Sequence, residues 1–412
     1  MDFPHMLKVR QRLASAPLED PVGELESGLL RSGFDRIFTG REKVAVAVGS
    51  RRIDCLVPVL TELVARLKEA GCRPYLVPAM GSHGGGTPEG QVRMLASLGV
   101  TEESVGVPVR SGTETVSLGK TPDGAVVFTD ALALEADAIV VINRVAPHTA
   151  FSGPVESGLA KMMAAGLGNR TGARSLHGRG FGAGHLIGEI ADAVLEAAPV
   201  ALGVALVEDG NKSLSRLEVL PRDIIRRREP ALLELAASMH PCIPVQYADL
   251  LIVDEMGKDI SGTGMDPLVT GRGKDLGEGE PPFEAARLMV LRLSSGSAGN
   301  ATGIGHADVT TEKLVRSIDR WVTYRNVVTS GALHRARIPV MVPTERDAVA
   351  VALESLGGIP GSDVKVVRIT STASLQEFQV STALAGELLG IEGIEVDAEA
   401  REMEFDADSN LV

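Results

Sequence analysis

Short, almost wholly apolar runs alternate along the chain with stretches of helical periodicity. Residues 43–48 read KVAVAV, the pattern of a strand covered on both faces and not of one with a wet side. Residues 55–70 then place Leu56, Val59, Leu60, Leu63, Val64 and Leu67 on one helical face, with Gly71 where a C-terminal cap belongs. A second apolar run at 74–79 completes a predicted βαβ unit with parallel strands and a right-handed crossover. Thr87 and Pro88 mark the N-cap and first position of the next helix. Residues 109–130 read as irregular or antiparallel strands around Pro122, Asp123 and Gly124, and 138–142 as another buried strand. A helix at 187–198 and a strand at 201–207 follow.

The charged segment 221–229, with the helix after it, reads as the passage to a second unit, closed by Pro241 and Pro244. That unit starts with a buried strand at 249–254 and continues with strands near 287–293, 338–342 and 364–369 and helices near 312–325 and 345–356. The predicted fold class is α/β: two α/β domains with largely parallel sheets, 1–245 and 246–412, and an active-site cleft between them. No structure is assigned before residue 43, and the acidic segment 392–412 is expected to be partly mobile.

Charge narrows the partners. The 412 residues carry a net charge of -13 and a pI near 5.2, which argues against nucleic acid or an anionic membrane surface, since both require a basic footprint. The first residues lack the apolar core of a signal peptide and no apolar run approaches a membrane span, so a cytoplasmic protein is expected. Cys55, Cys72 and Cys242 are scattered and without metal spacing; they are expected to be small core residues, with no disulfide or zinc framework.

Candidate chemistry collects after the predicted strands. Arg52, His83 and His148 each follow the C-terminal end of a predicted parallel strand, the edge where open α/β sheets bind ligands. His83 opens a glycine-rich turn, with Ser82, Gly84 and Gly85 beside it, that leads into a helix and could hold an anion or cofactor. Between residues 143 and 177 two histidines, His148 and His177, flank Lys161. Leu159, Ala160, Met162 and Met163 surround that lysine with no charge partner. Either its amine is desolvated, lowering its pKa and making it a nucleophile or attachment point, or its stem covers apolar surface while the head reaches water. In the second half, the loop after 249–254 carries Lys258 and Ser261, and the loop at 296–308 carries Asn300, His306 and Asp308.

Taken together, these residues resemble the nickel-dependent lactate racemase family. The resemblance implies a nickel-pincer nucleotide, a pyridinium mononucleotide with two sulfur-containing arms, covalently attached to Lys161, with His177 as the nickel ligand. It implies paired catalytic histidines at His83 and His148 and a carboxylate-binding arginine at Arg52. Lys258 and Ser261 are further substrate-binding candidates, with Ser82, Gly84 and Gly85 beside the cofactor. The implied reaction is inversion of carbon 2 of a 2-hydroxy acid by proton-coupled hydride transfer through a 2-keto acid. Implied partners are that acid and the enzymes that assemble the cofactor, so a host lacking those enzymes gives apoprotein. Three glycines follow His83, and the arginine loop reads Gly-Ser-Arg-Arg-Ile-Asp; both differ from lactate-specific members and leave the identity of the acid open.

Two other classes compete. One is a metal hydrolase built from His83, His148, His177 and His306, although the chain has no HxH or HExxH pair. The other is a non-catalytic binder of a small anion or cofactor on the same fold.

Overall fold

The computed structural model describes residues 2–40, 42–180, 183–273 and 283–412. The chain divides into two compact units, residues 14–240 and residues 1–13 together with 241–412. The first strand, β1 (His5–Gln11), thus belongs with the C-terminal half, whereas the sequence reading assigned residues 1–245 to one domain. The reason is local: Leu7 and Val9 are apolar and buried between exposed Lys8 and Arg10, an alternation that suits one strand of a half-wet sheet.

The unit 14–240 contains β2 (Lys43–Val48), β3 (Arg73–Pro78), the hairpin β4 (Thr115–Lys120) and β5 (Val126–Asp130), then β6 (Ala138–Arg144), β7 (Val200–Glu208) and β8 (Leu214–Pro221). Its main sheet runs β3-β2-β6-β7-β8. The first four strands are parallel and β8 is antiparallel to β7. The continuous apolar run in β2 has the predicted cause. Val44, Val46 and Val48 face a layer containing Leu56, Leu60 and Leu63, while Ala45 and Ala47 face the opposite layer, with Phe151, Leu159 and Met163. The crossover helix Leu56–Glu69 buries the six positions named from its periodicity. Gly71, at φ 81°, ends it by donating to the Lys68 carbonyl.

Segment 221–229 is not a passage between units. It forms the first part of the helix Arg222–Ser238, which packs on β7 and β8.

The other unit adds β9 (Tyr247–Met256), β10 (Glu284–Leu293), β11 (Val309–Thr311), β12 (Val340–Val342), β13 (Val366–Ser371), β14 (Ser374–Ser381), β15 (Ile394–Val396) and β16 (Arg401–Glu402). Its sheet runs β12-β11-β10-β9-β13-β14-β1-β15, parallel from β12 to β13 and antiparallel beyond, with β16 also paired to β1. The acidic C-terminal segment therefore supplies two short strands to the sheet. Of the cysteines, Cys72 is buried as expected, but Cys242 is exposed and is not a core residue.

Candidate active site

Because β3, β2 and β6 are adjacent and parallel, the loops that leave their C-terminal ends emerge at one sheet edge. Those loops hold Arg52, His83 and His148. Close packing joins the first two to the chain around Lys161. A methyl group built on Gly49 would lie 3.1 Å from Met162 Cε and 2.9 Å from Asn143 Oδ1. Gly81 donates its backbone N–H to the Gly166 carbonyl at 3.2 Å.

The loop after β2 is pinned at its far end. Asp54 N–H donates to Glu208 Oε1 at 2.9 Å, and Asp54 Oδ2 accepts from Leu214 N–H at 3.0 Å. Arg144 is neutralised by the same glutamate, 2.5 Å from Oε2. Arg52 differs: it is exposed and makes no hydrogen bond or ion pair with another described residue.

After β3, His83 is exposed and its Nδ1 is hydrogen-bonded to Ser50 Oγ, so one loop orients the base carried by the next. Gly84, Gly85 and Gly86 have φ of 63°, 72° and 65°, a left-handed run that residues with a Cβ avoid. At Gly84 a Cβ would also come within 2.5 Å of the Gly90 backbone. Thr87 then caps the helix Pro88–Ser97, accepting from Gly90 N–H, as the sequence predicts. Ser82, Gly84 and Gly85 thus lie in a tight turn that opens a helix.

The loop after β6 folds back on itself. His148 N–H donates to the buried Glu156 carboxylate at 2.7 Å, and Asn143 Nδ2 donates to the Gly158 carbonyl at 2.9 Å. The imidazole is held as firmly: His148 Nδ1 accepts from the backbone N–H groups of Ala150 and Phe151 at 3.0 and 3.1 Å. A backbone N–H can only donate, so Nδ1 carries no proton in this arrangement and the neutral ring bears its hydrogen on Nε2.

Phe151, fully buried, gathers the rest. Its ring centre lies 5.1 Å from that of His148 and 5.4 Å from that of His177, with the His177 ring nearly perpendicular. Lys161 Nζ sits 3.7 Å from the Phe151 ring centre. That nitrogen is buried and has no hydrogen-bond partner among the described residues. Burial pushes the amine from an ordinary lysine value down to about 7, and the Phe151 ring face offers it a cation–π contact.

The backbone around Lys161 is also unusual. A short helix, Leu159–Lys161, passes into the π-helical turn Met162–Gly166 and, after a break, into the helix Asn169–His177. Such turns frequently occur at functional sites. The break is clasped by Asn169, at φ 48°, whose Nδ2 donates to buried Asp130 Oδ2 at 2.5 Å. The start is capped from beneath by Glu229, whose carboxylate accepts from Ala160 N–H at 3.0 Å. Burial raises the Glu229 carboxyl to about 7, opposed by that backbone donor.

His148, Lys161 and His177 are therefore brought together around one ring, and His83 and Arg52 lie on the neighbouring loops. Lys258 and Ser261 belong to the other unit. Lys258 Nζ reaches the Gly262 carbonyl and Asn326 Oδ1, and the buried Ser261 hydroxyl bonds Thr263 Oγ1 at 3.3 Å. Sequence reasoning missed Phe151, Glu156 and Glu229. Phe151 alone gave a signal, as one of nine phenylalanines in a chain with 3% aromatic residues. The hydrolase set is not assembled: His306 lies in the other unit beside His334, and His83, His148, His177 and His306 form no metal-ligating group among the described residues.

Comparisons with known proteins bear on the domain and the fold. Residues 15–183 match the family profile described as the lactate racemase N-terminal domain. The fold matches the structure of the lactate racemase apoprotein from Thermoanaerobacterium thermosaccharolyticum at 12% identity, with a TM-score of 0.55, over 89% of this chain and 93% of that one. No curated protein matches the chain.

Proposed function

We propose that this chain, which belongs to the lactate racemase family through the domain matched by residues 15–183, is a racemase or epimerase that inverts carbon 2 of a 2-hydroxy acid. The observation that carries this reading is Lys161: an amine buried without a hydrogen-bond partner among the described residues, on the Phe151 ring that also packs against His148 and His177.

The residues fit the lysine-tethered nickel-pincer nucleotide. A buried amine with a pKa near 7 is substantially unprotonated at neutral pH and so nucleophilic. Once acylated it would be neutral, which removes the desolvation cost of an unpaired ammonium. His177, an imidazole at the end of the same helical stretch, is a suitable nitrogen ligand for nickel beside sulfur donors. The glycine turn Ser82–Gly86 leads into a capped helix N-terminus and suits the nucleotide phosphate. When bound, this group supplies a hydride acceptor, so the hydrogen on carbon 2 need not leave as a proton from a very weak carbon acid.

The chain's own residues supply binding and proton handling. Arg52, with no partner among the described residues, holds the substrate carboxylate through charge-assisted hydrogen bonds. His83, oriented through Nδ1 by Ser50, takes the hydroxyl proton at Nε2 when Nδ1 bears its hydrogen. His148, with Nδ1 committed to two amides, presents Nε2–H and donates a hydrogen bond to a substrate oxygen. For the opposite enantiomer His148 must itself accept the proton, so its ring must first leave the Ala150 and Phe151 amides. The two directions of turnover thus begin from differently held imidazoles. Packing by Phe151, Met162 and Met163 keeps water from the amine and its surroundings.

The test is chiral analysis of enantiopure 2-hydroxy acids incubated with protein produced alongside the cofactor-assembly enzymes. Inversion at carbon 2 that is lost in His83→Ala supports the reading. Tight binding of hydroxy acids without inversion would instead make the chain a binding protein.

A further inference from the structure

The turn between β4 and β5 carries Asp123, and the helix His185–Ala197 carries His185 in its first turn and Glu189 four residues later, on the same helical face. His185 Nε2 lies 2.9 Å from Asp123 Oδ2. One ligand atom from each of the three residues falls within 4.8 Å of the other two. Asp123 and His185 are exposed, whereas Glu189 Oε2 is buried and has no hydrogen-bond partner among the described residues. A carboxylate oxygen removed from water without a donor is unfavourable. Beside an imidazole and a second carboxylate, a cation is the partner that would satisfy it.

From this we infer that Asp123, His185 and Glu189 bind one divalent transition-metal ion of the zinc type. One imidazole nitrogen and two carboxylate oxygens form a borderline donor set, better matched to zinc than to magnesium or calcium, which favour oxygen alone. Ligand atoms at about 2.0–2.2 Å from a tetrahedral zinc lie roughly 3.3–3.6 Å apart. The His185–Asp123 contact therefore has to open by only about half an ångström, and side-chain rotation brings in Glu189. The turn is already fixed for this role: Gly124 N–H donates to the Thr121 carbonyl at 2.8 Å, and Arg179 Nη1 donates to the Asp123 carbonyl at 3.0 Å. The site shares no residue with the cluster around Phe151. It would clasp the β4–β5 hairpin to the helix that follows His177, with water in the fourth position.

The experiment is equilibrium dialysis of apoprotein, made without the cofactor-assembly enzymes, against zinc ion alone. Wild type and His177→Ala are both expected to retain one zinc per chain at pH 7.5. His185→Ala and Glu189→Gln are expected to weaken that binding about tenfold or more, with Asp123→Asn as the variant least able to disturb folding. Affinity should also fall as the pH is lowered, because protons and zinc compete for the same ligand atoms. Absence of zinc uptake by the wild type overturns the inference. So does zinc that is lost in His177→Ala but unchanged in His185→Ala and Asp123→Asn.

Discussion

Replacing Lys161 with Met should make the apoprotein more stable, by an amount that depends on pH. The buried amine titrates near 7 in the folded chain, against an ordinary value of 10.5. A folded pKa below the unfolded one means that the unfolded chain binds the extra proton between these values, so the lysine's destabilising effect is full below pH 7 and disappears above 10.5. The shift corresponds to about 4–5 kcal/mol at pH 6, about 4 at pH 7 and about 2 at pH 9. Methionine keeps the length and apolar packing of the side chain while removing the charge. The assay is urea denaturation of both apoproteins, following the unfolding of the unit 14–240 at those three pH values. The variant should be the more stable at pH 6, with the gap narrowing steadily toward pH 10. A wild type as stable as Lys161→Met at pH 6, or a gap that does not change with pH, would refute the claim that this nitrogen is buried without a compensating partner.

Phe151→Ala should cost about 3–5 kcal/mol in the same denaturation assay, because it removes a fully buried ring that packs on His148, His177 and Lys161; a loss below 1 kcal/mol would place the ring outside the core. Glu229 has a folded pKa raised to about 7 from 4.5, so the stability it contributes is complete below pH 4.5 and lost as pH rises to 7. Relative to Glu229→Gln, wild type should lose about 3 kcal/mol across that window, and parallel pH profiles would contradict this. Arg52→Lys should lower kcat/KM of the loaded enzyme by roughly ten- to a hundredfold, the loss of about 1.5–3 kcal/mol from a hydrogen bond to a charged group; unchanged kinetics would move the carboxylate elsewhere.

How much of this was legible in the sequence depended on whether the signal was local. The strands 43–48 and 138–144 and the helix at 56–69 announce themselves because burial on both faces of a parallel sheet demands unbroken apolar runs, and helical burial demands the 3.6-residue period. The strand-end positions of Arg52, His83 and His148 followed from that. β1 was missed because its alternation is only seven residues long and its partners, β14 and β15, lie more than 360 residues away. Segment 221–229 was misread because its arginines and Asp223 lie along one helix that also buries Ile225 and the charged Glu229. Glu229 carries no mark of its role, since what makes it a helix cap is the approach of Ala160, 69 residues earlier. The His148 tautomer is equally invisible in sequence: it is set by where two backbone N–H groups point.

The central claim is that Lys161 tethers the cofactor while His177 only ligates its metal. Intact mass and nickel content should be measured together on wild type, Lys161→Ala and His177→Ala, each produced alongside the cofactor-assembly enzymes. Wild type should show a covalent mass increase with nickel close to one per chain. His177→Ala should keep the mass increase but lose or loosely hold the nickel, and Lys161→Ala should show neither the added mass nor racemase activity. A Lys161→Ala protein that still carries the full mass increase, or still inverts a 2-hydroxy acid, would contradict the account.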